Sequence, residues 1–255
     1  MFDEPFARGR SLVHGLDPRM RLAMAALFSI CVALLKDPIA AGSALIPAVA
    51  VLSLSAPPLL VLCKRVALVN VFILFLWLTV PLTMPGTPLA TLGPLTASRE
   101  GAELVLLATL KSNAILFTFL ALVTTMDSPT MGHALDRLGV PSKLVFLFLF
   151  TYRYLHVIAD EWQRLVTAAR LRGFAPRTGM HTYRTIGNLL AMVLVNSFDR
   201  SSRVYQAMVL RGFQGRFVSV VRFKAQPKDA IFAFLWMAAT VGIVLMDFFP
   251  EIRLV

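Results

Sequence analysis

The sequence predicts an all-α fold: a polytopic membrane helix bundle of about five transmembrane helices, with long cytoplasmic or interfacial helices attached. Three observations support this prediction. Of the 255 residues, 57% are hydrophobic, and the mean hydropathy is +0.73. Only 15% are charged, whereas about a quarter of the residues in a soluble domain are charged. Several stretches approach the roughly 20 apolar residues that a helix needs to cross a bilayer.

Five apolar stretches are long enough, or nearly so, to be transmembrane helices. They are Met20–Leu35, Ile39–Ala56, Val66–Met84, Gly101–Thr125 and Ala230–Phe249. The first two are separated only by Lys36-Asp37-Pro38, which predicts a tight hairpin between them. We expect no cleaved signal peptide, because the charged N-terminus has no short apolar core before a small-residue cleavage site.

Basic residues predict the orientation of these helices, because cytoplasmic loops are enriched in lysine and arginine. Four arginines lie before or at the start of the first stretch, namely Arg8, Arg10, Arg19 and Arg21, and Lys64 and Arg65 follow the second. The loop at residues 84–100 holds one arginine among several prolines and glycines. The N-terminus and the Lys64-Arg65 turn are therefore predicted to be cytoplasmic, and the 84–100 loop to lie outside an inner (plasma) membrane.

A basic segment separates the fourth stretch from the fifth. Residues 126–228 hold 15 of the 25 Lys and Arg but only 5 of the 14 Asp and Glu, and so carry nearly all of the net charge of +11. The same rule predicts that this segment is cytoplasmic. The chain then divides into a membrane region with four transmembrane helices (1–125), a cytoplasmic region of long helices (126–228) and a C-terminal transmembrane helix (229–255). Plain topology signalling is the alternative explanation of the charge.

Two long helices are predicted in the basic segment. Ser142–Arg172 contains no Gly or Pro; Pro141 is placed to start it and Gly173 to end it. Its first half is uniformly apolar and could be a sixth transmembrane helix. We favour a helix along the cytoplasmic interface, because nine or ten apolar residues are too few to cross. Thr185–Arg211, followed by Gly212, repeats the plan.

Both predicted helices end in the same four residues. Leu171-Arg172-Gly173-Phe174 closes the first, and Leu210-Arg211-Gly212-Phe213 closes the second, 39 residues later. Ordinary C-caps would account for the Arg-Gly pair, because arginine is favourable at a helix C-terminus and glycine commonly follows it. They do not account for the shared Leu and Phe. An arginine fork beside an aromatic ring suits an acidic groove on a partner, and two such ends suggest two equivalent grooves.

The sequence carries no motif of a common catalytic or cofactor site. It has no Gly-Lys pair, which excludes a P-loop, and no H-E-x-x-H, G-x-S-x-G or C-x-x-C. We therefore predict no catalytic, cofactor-binding or metal-ligating residue. The four histidines are interpreted as surface or interfacial groups; they are His14, His133, His156 and His181.

Charged residues in apolar segments are costly and often functional. Glu103 and Lys111, in the fourth stretch, could have either a structural or a functional role. A polytopic enzyme acting on lipid or prenyl substrates is an alternative class, and it would need clustered carboxylates or histidines at the membrane face. Asp160-Glu161 is the one adjacent acidic pair of the basic segment, and no second Asp motif accompanies it.

Four stretches carry a resemblance to a known family. The LDPRMRL sequence at residues 16–22 is similar to a pre-helix L-D-P-R-x-K-L motif, with Arg21 in place of the usual lysine. The LGVP sequence at 138–141, followed by YRY at 152–154, resembles a central signature, and Asp160-Glu161 stands where the family has an acidic pair. The two Arg-Gly ends resemble coupling triplets that are commonly Ala-Arg-Gly. From about residue 10 to 217, the chain resembles the T component (the transmembrane coupling subunit, EcfT/CbiQ family) of energy-coupling-factor ABC transporters, and in particular the cobalt-type CbiQ subunit.

The resemblance implies a non-catalytic subunit that transmits ATP-driven motion in an importer for Co²⁺ or Ni²⁺. The implied partners are two cytoplasmic ABC ATPase subunits (a CbiO-like dimer), a membrane substrate-binding subunit (CbiM-like, with or without a small accessory subunit) and the lipid bilayer; no nucleic acid is expected. A T component serving a vitamin is the alternative. The implied partner-binding residues are those of the two helix ends: Leu171, Arg172, Gly173, Phe174, Leu210, Arg211, Gly212 and Phe213.

Overall fold

The computed structural model describes residues 6, 9, 11–92, 95–213, 223 and 226–248, with backbone alone at 89–92, 95 and 96. Within these residues it contains eight α-helices and an antiparallel β-hairpin. The helices are α1 (Pro18–Leu34), α2 (Pro38–Ser55), α3 (Leu59–Thr83), α4 (Arg99–Leu122), α5 (Ser128–Arg137), α6 (Ser142–Leu171), α7 (Met180–Leu210) and α8 (Pro227–Phe248); the strands are β1 (Pro88–Leu92) and β2 (Leu95–Ser98). Five of the helices are long and apolar enough to cross a membrane. The predicted class, an all-α membrane helix bundle, is confirmed.

These five helices differ in one member from the five predicted stretches. They are α2, α3, α4, α6 and α8. Helix α1 has only 17 residues, which is the short end of the range for a transmembrane helix. Helix α6 qualifies by length and composition, so the expectation that its apolar part is too short to cross is corrected. Its amphipathic second half keeps enough apolar residues to lengthen the apolar stretch. Phe249, the predicted last residue of the final stretch, lies outside the described residues.

Two helices start five or more residues earlier than predicted. Helix α3 begins directly after Pro58, its N-cap residue, so Lys64 and Arg65 lie within this helix and not in a turn. Helix α7 begins at Met180, five residues before the predicted start at Thr185, because no glycine or proline interrupts the residues between them. The loop between the two long helices is correspondingly shorter.

The 84–100 loop is more ordered than predicted. It contains the hairpin of β1 and β2, whose register pairs Leu92 with Leu95. The prolines and glycines of this segment hid the pairing, because such residues normally interrupt strands. The Glu100 carboxylate holds the base of the hairpin by accepting hydrogen bonds from Thr87 N (2.8 Å) and Thr87 Oγ1 (3.1 Å).

The described residues fall into two compact units. One lies within Leu135–Val221 and contains α6 and α7; the other lies within Glu4–Ala134 and Arg222–Val255 and contains the remaining long helices. The core of the second unit forms where α2 packs against α4. Ala40, Ala44 and Ala48 are fully buried at a spacing of four residues, and α4 contributes the fully buried Ala114 and Ala121. Small side chains allow membrane helices to approach closely, which explains this packing.

Helices α1 and α8 run in the same direction. A carboxylate near the start of α8 binds the start of α1, and a carboxylate near the end of α8 binds the residues that follow α1. Asp229 Oδ1 accepts the Asp17 N–H at 2.9 Å, at the start of both helices. Asp247 Oδ1 accepts the N–H groups of Lys36 (3.0 Å) and Asp37 (2.8 Å), beyond the end of α1. The two attachment points on α8 are about 27 Å apart at 1.5 Å per residue, which is close to the thickness of a bilayer core.

Helix α4 runs in the opposite direction to α1. The buried Arg21, in the first turn of α1, donates from Nε to the Leu122 carbonyl at 3.1 Å and also donates to Thr125 Oγ1. These groups lie at the end of α4. The end of α4 therefore lies on the same face of this unit as the starts of α1 and α8, so the chain leaves this face after α4 and returns to it before α8.

Polar groups join helix α3 to α4. The amides of Asn70 and Asn113 exchange two hydrogen bonds, of 3.1 and 3.3 Å, and Trp77 Nε1 donates to Thr109 Oγ1 at 3.0 Å. Interhelical hydrogen bonds of this kind associate helices in a medium where apolar surface supplies little attraction. Eight other side chains of α3 are large, apolar and exposed, among them Leu68, Phe72 and Phe75, as expected for a helix that faces lipid.

The two charged residues of the fourth predicted stretch have intramolecular partners. Glu103 forms an ion pair with Arg99 one turn earlier, at 2.9 Å. Lys111 Nζ donates to the Ala33 carbonyl at 3.0 Å, in the last turn of α1, where helix carbonyls lack intrahelical partners. Of the two roles left open for these residues, the structure supports the structural one.

Candidate functional site

The first long helix ends in a Schellman motif. Helix α6 starts after Pro141, as predicted, and ends at Leu171, one residue before the predicted end at Arg172; Gly173 has φ +88°. Phe174 N donates to the Ala169 carbonyl at 3.1 Å, and Gly173 N donates to the Arg170 carbonyl at 3.0 Å. This pair of hydrogen bonds defines the motif and requires a left-handed residue at the glycine position.

The second long helix ends in the same way. Gly212 has φ +80°, Phe213 N donates to the Met208 carbonyl at 3.0 Å, and Gly212 N donates to the Val209 carbonyl at 2.9 Å. Schellman motifs favour an apolar residue directly after the glycine, and the ring of Phe213 packs against Phe146, with centroids 5.7 Å apart. A Schellman motif therefore gives a reason for an apolar residue after each glycine, which the sequence alone did not reveal, and the Phe213 ring in addition joins the end of α7 to α6.

Capping does not account for the leucine of each end, and within the described residues the guanidinium of the arginine binds no helix carbonyl. Leu171 is 84% exposed and Leu210 is 88% exposed. Arg172 and Arg211 are also exposed, and in the described part of the chain neither guanidinium has a hydrogen-bond or ion-pair partner. Each end thus presents an apolar side chain and a planar cation to the surroundings. Such a pair can fill a pocket and bind a carboxylate.

The Glu161 carboxylate of α6 binds two residues of α7 that are one helical turn apart. Glu161 accepts a hydrogen bond from Asn196 Nδ2 at 3.0 Å on one oxygen, and forms an ion pair with Arg200 at 3.1 Å on the other. The side chains of Glu161 and Arg200 are 21% and 35% exposed. We call these three residues the interhelix clamp. The sequence identified Glu161 as part of an acidic pair but did not reveal its partners on α7.

The two long helices are antiparallel. Glu161 contacts residues 196 and 200, whereas the earlier Phe146 contacts the later Phe213. Glu161 precedes Arg172 by the same 11 residues by which Arg200 precedes Arg211. Each helix end is therefore about 16 Å from the clamp, in opposite directions, and the two ends are roughly 30 Å apart.

This geometry relates the two ends by an approximate two-fold axis. Residues of α7 are equivalent to residues of α6 that are 39 positions earlier, and Glu161 and Arg200 are separated by the same 39 positions. When two antiparallel helices touch at equivalent positions, a two-fold axis through that contact superimposes each helix on the other. The clamp is therefore the centre of an arrangement with one arginine end on each side.

The N-terminal LDPRMRL motif has a structural role. Asp17 caps α1 by accepting the Arg19 N–H at 2.9 Å, and it forms an ion pair with the Arg19 guanidinium at 2.6 Å. The hydrogen bond from Arg19 holds the pKa of the Asp17 carboxyl below its usual value. Together with the buried Arg21, these residues connect the start of α1 to α4 and α8. They do not contribute to the arginine ends.

The described residues contain no group of three or more His, Cys, Asp or Glu side chains placed to hold a metal ion. His14 is bound within its own turn, to Ser11 Oγ at 2.7 Å and to the Phe6 carbonyl at 2.9 Å. The candidate site consists of the two exposed helix ends.

Comparisons with known proteins agree on one kind of relative. A family model described as CbiQ, cobalt transport protein, matches residues 9–220. The energy-coupling factor transporter transmembrane protein EcfT of Acidaminococcus fermentans is 24% identical over 217 residues, 81% of each chain. The cobalt transport protein CbiQ of Rhodobacter capsulatus is 31% identical over 131 residues, 51% of this chain and 50% of the relative. The putative ABC transporter ATP-binding protein BL0043 of Bifidobacterium longum is 26% identical over 187 residues, which are 66% of this chain but 23% of that protein.

Proposed function

The chain belongs to the CbiQ family of cobalt transport proteins and is a T component of an energy-coupling-factor transporter, and from this premise we propose that it transmits ATP-driven motion. In this proposal two cytoplasmic ABC ATPase subunits, a CbiO-like dimer, bind the two arginine ends. The chain passes their movement to a CbiM-like membrane subunit, with or without a small accessory subunit, that binds the substrate. The chain itself catalyses no reaction.

The observation that carries this proposal is the pair of equivalent arginine ends, roughly 30 Å apart at 1.5 Å per residue. Two identical surfaces related by an approximate two-fold axis fit a partner that also has two-fold symmetry, because each half of the partner then meets the same surface. A dimer of identical or similar ATPase subunits has this symmetry. A single asymmetric partner would give no reason for the repeat.

One comparison supports an ATPase as the partner. A protein named as an ABC transporter ATP-binding protein contains, in 23% of its length, a segment similar to two thirds of this chain. In that protein the T-component-like segment is therefore part of a longer polypeptide, and the name of that protein specifies ATP binding. Segments that are joined in one protein commonly act together when they occur as separate chains.

The mechanism follows from the stiffness of the long helices. Each arginine end lies at the tip of a helix arm about 16 Å long, and the arms meet at the clamp. If ATP draws the two ATPase subunits together, their grooves move the arms, and the contact at Glu161 and Arg200 converts the movement into a change of angle between α6 and α7. That change would reach the membrane helices and tilt the substrate-binding subunit.

Cobalt is the proposed cargo, with nickel as the close alternative, because the family description and the Rhodobacter capsulatus relative both name cobalt transport. A T component that serves a vitamin would use the same arginine ends and would differ in its substrate-binding partner. Identification of the membrane subunit that co-purifies with this chain separates the two possibilities.

We propose that this multi-pass protein lies in the inner membrane of the cell. Its N-terminus and residues 126–228 are then in the cytoplasm. The parallel directions of α1 and α8 support this, because the segment between α4 and α8 then crosses the membrane an even number of times. Helix α7 is not among the helices that are long and apolar enough to cross. A crossing by α6 alone would make the number odd, so α6 stays on one side, although its composition would allow it to span.

The test is to change Arg172 and Arg211 to alanine, singly and together, and to measure co-purification of the ATPase subunits and metal uptake by cells. Truncating one member of a desolvated, hydrogen-bonded charge pair costs about 2–5 kcal/mol, so each single change should weaken ATPase attachment strongly and the double change should abolish it. Arg→Lys should restore binding only in part, because an ammonium group lacks the planar fork.

Arg177→Ala is the matched control, because Arg177 is exposed in the loop between the same two helices. It should leave assembly and uptake unchanged. If the arginines serve only as helix caps, their loss costs a few tenths of a kcal/mol, and the double variant would assemble normally. Normal assembly and uptake in that variant would therefore refute the proposed function, and a chain that purifies without any ATPase would favour the membrane-enzyme alternative.

A further inference from the structure

The repeat in the long helices extends well beyond the four residues of each end. When residues 160–174 are aligned with residues 199–213, they match at seven positions. Three matches precede the LRGF sequence: Asp160 with Asp199, Arg164 with Arg203, and Ala168 with Ala207. The spacing is the same in both helices, and the offset is the 39 residues that relate the two ends.

The additional matches lie on one exposed side of each helix. They precede the leucine of the end at intervals of four, four and three residues, which places them on a common helix face. All six side chains are exposed. On α6, Asp160, Arg164, Ala168 and Leu171 line one shallow surface depression together with Gln163 and Thr167, which have no match in α7. None of the four charged side chains has an ion-pair or hydrogen-bond partner among the described residues.

Packing within the chain does not explain these matches. Before the LRGF sequence, the half-buried positions differ between the helices: Leu165 corresponds to Val204, and Ala169 to Met208. The clamp position differs most, with Glu161 corresponding to Arg200. A repeat maintained for internal packing would be expected to match at the buried positions, but all three matches that precede LRGF are at exposed positions, on one side of each helix. This pattern indicates an external partner that meets both helices in the same way.

We propose that each ATPase subunit docks along a stripe of about three helical turns and not only at the arginine end. The α6 stripe consists of Asp160, Arg164, Ala168, Leu171 and Arg172; the α7 stripe consists of Asp199, Arg203, Ala207, Leu210 and Arg211. This inference rests on the proposed function, since the stripes are continuous with the ends that the ATPases are proposed to bind.

The stripes define the chemistry of the partner surface. Each ATPase groove has to offer a carboxylate to the terminal arginine and a second acidic group, one turn further on, to Arg164 or Arg203. A basic group faces Asp160 or Asp199, and the alanine between them allows close approach of the partner backbone. Since the two stripes are equivalent, the two ATPase subunits present equivalent grooves and are either identical or alike in these groups.

The experiment measures the affinity of the full chain, in detergent or nanodiscs, for its purified ATPase subunits. Arg164→Glu and Arg203→Glu place like charges against the acidic groove, and like-charge juxtaposition at an interface is strongly unfavourable. Each should weaken binding by at least about tenfold, by similar factors, and the double variant more. Arg170→Glu and Arg184→Glu are matched controls: both are exposed arginines of α6 and α7, and both correspond to valine at the 39-residue offset. They should change affinity less than about threefold, since exposed charges interact weakly at physiological salt.

The outcomes separate this inference from the proposed function. Unchanged affinity of the Arg164/Arg203 double variant, together with loss of binding in the Arg172/Arg211 double variant, overturns the stripes and leaves the function. Equal weakening by the control variants also overturns the stripes, because it reveals a general charge effect. Absence of ATPase binding to the unaltered chain overturns both. Helix content and monodispersity of each variant confirm that a loss of binding is not a loss of folding.

Discussion

Removal of the Glu161 carboxylate should loosen the angle between the two long helices. Glu161 accepts hydrogen bonds from Asn196 (3.0 Å) and Arg200 (3.1 Å). A buried hydrogen bond to a charged group contributes about 1.5–3 kcal/mol, whereas an exposed ion pair contributes about 0–1 kcal/mol. The side chains of Glu161 and Arg200 are 21% and 35% exposed. We therefore expect Glu161→Gln to destabilise the interhelix contact by about 1–2 kcal/mol.

Double electron–electron resonance between spin labels at residues 171 and 210 measures the result directly. Both side chains are more than four-fifths exposed, and Cys31 and Cys63, which are free, are first replaced by serine. The unaltered chain should give one narrow distance distribution, centred at roughly 30–40 Å from the length of the two arms and the added labels. Glu161→Gln should broaden it, and the exchanged pair Glu161→Arg with Arg200→Glu should narrow it again.

Asp160→Asn is the control for this measurement. Asp160 is the neighbouring carboxylate, it is exposed, and it has no partner among the described residues. Its neutralisation should leave the distribution unchanged in the isolated chain. An unaltered distribution in both Glu161→Gln and Glu161→Ala would refute the reasoning, because the angle would then be set by apolar packing alone. The measurement needs no ATPase and is independent of the proposed partners.

Two further predictions concern the helix ends and the topology. Gly173→Ala and Gly212→Ala should each destabilise their helix end by about 1–2 kcal/mol. The cost comes from the positive φ of both glycines and not from a clash, since an added Cβ would meet no atom within 4 Å. Thermal unfolding measures this loss, and Gly187→Ala, inside α7, should not reproduce it. A membrane-impermeant maleimide added to intact cells should label Met84→Cys but not Met180→Cys, both at exposed positions. Labelling of both would contradict the proposed placement of residues 126–228 in the cytoplasm.

Most of the fold could be predicted because its determinants are local. Long apolar stretches predict α2, α3, α4 and α8, and Pro141 and Gly173 predict both ends of α6. The errors arose where one local signal hid another. The prolines of the 84–100 loop concealed the β-hairpin, and Lys64 and Arg65 were interpreted as a turn although they lie within α3. The uniformly apolar first half of α6 is too short to cross a membrane by itself, but the apolar residues of its second half lengthen the apolar stretch.

The candidate site was predictable in its residues but not in its geometry. The repeated LRGF sequence identifies both ends, yet it does not reveal that Gly173 and Gly212 close Schellman motifs, which explains the two phenylalanines. It also does not reveal that the ends point in opposite directions. That conclusion requires the contacts of Glu161 and Phe146 with α7, which are made by residues 35 to 67 positions apart in the sequence.

The sequence by itself determined the membrane class, the long helices and their caps, because apolar length, helix breakers and left-handed glycines act within a few residues of the chain. Only the tertiary structure decided how those elements are joined. The carboxylate of Asp229 meets the Asp17 amide 212 positions away and makes α8 parallel to α1, and Glu161 meets Arg200 at the centre of the two arginine ends. A carboxylate looks the same in sequence whether it is solvated or bound, and its partner is set by the packing of distant helices.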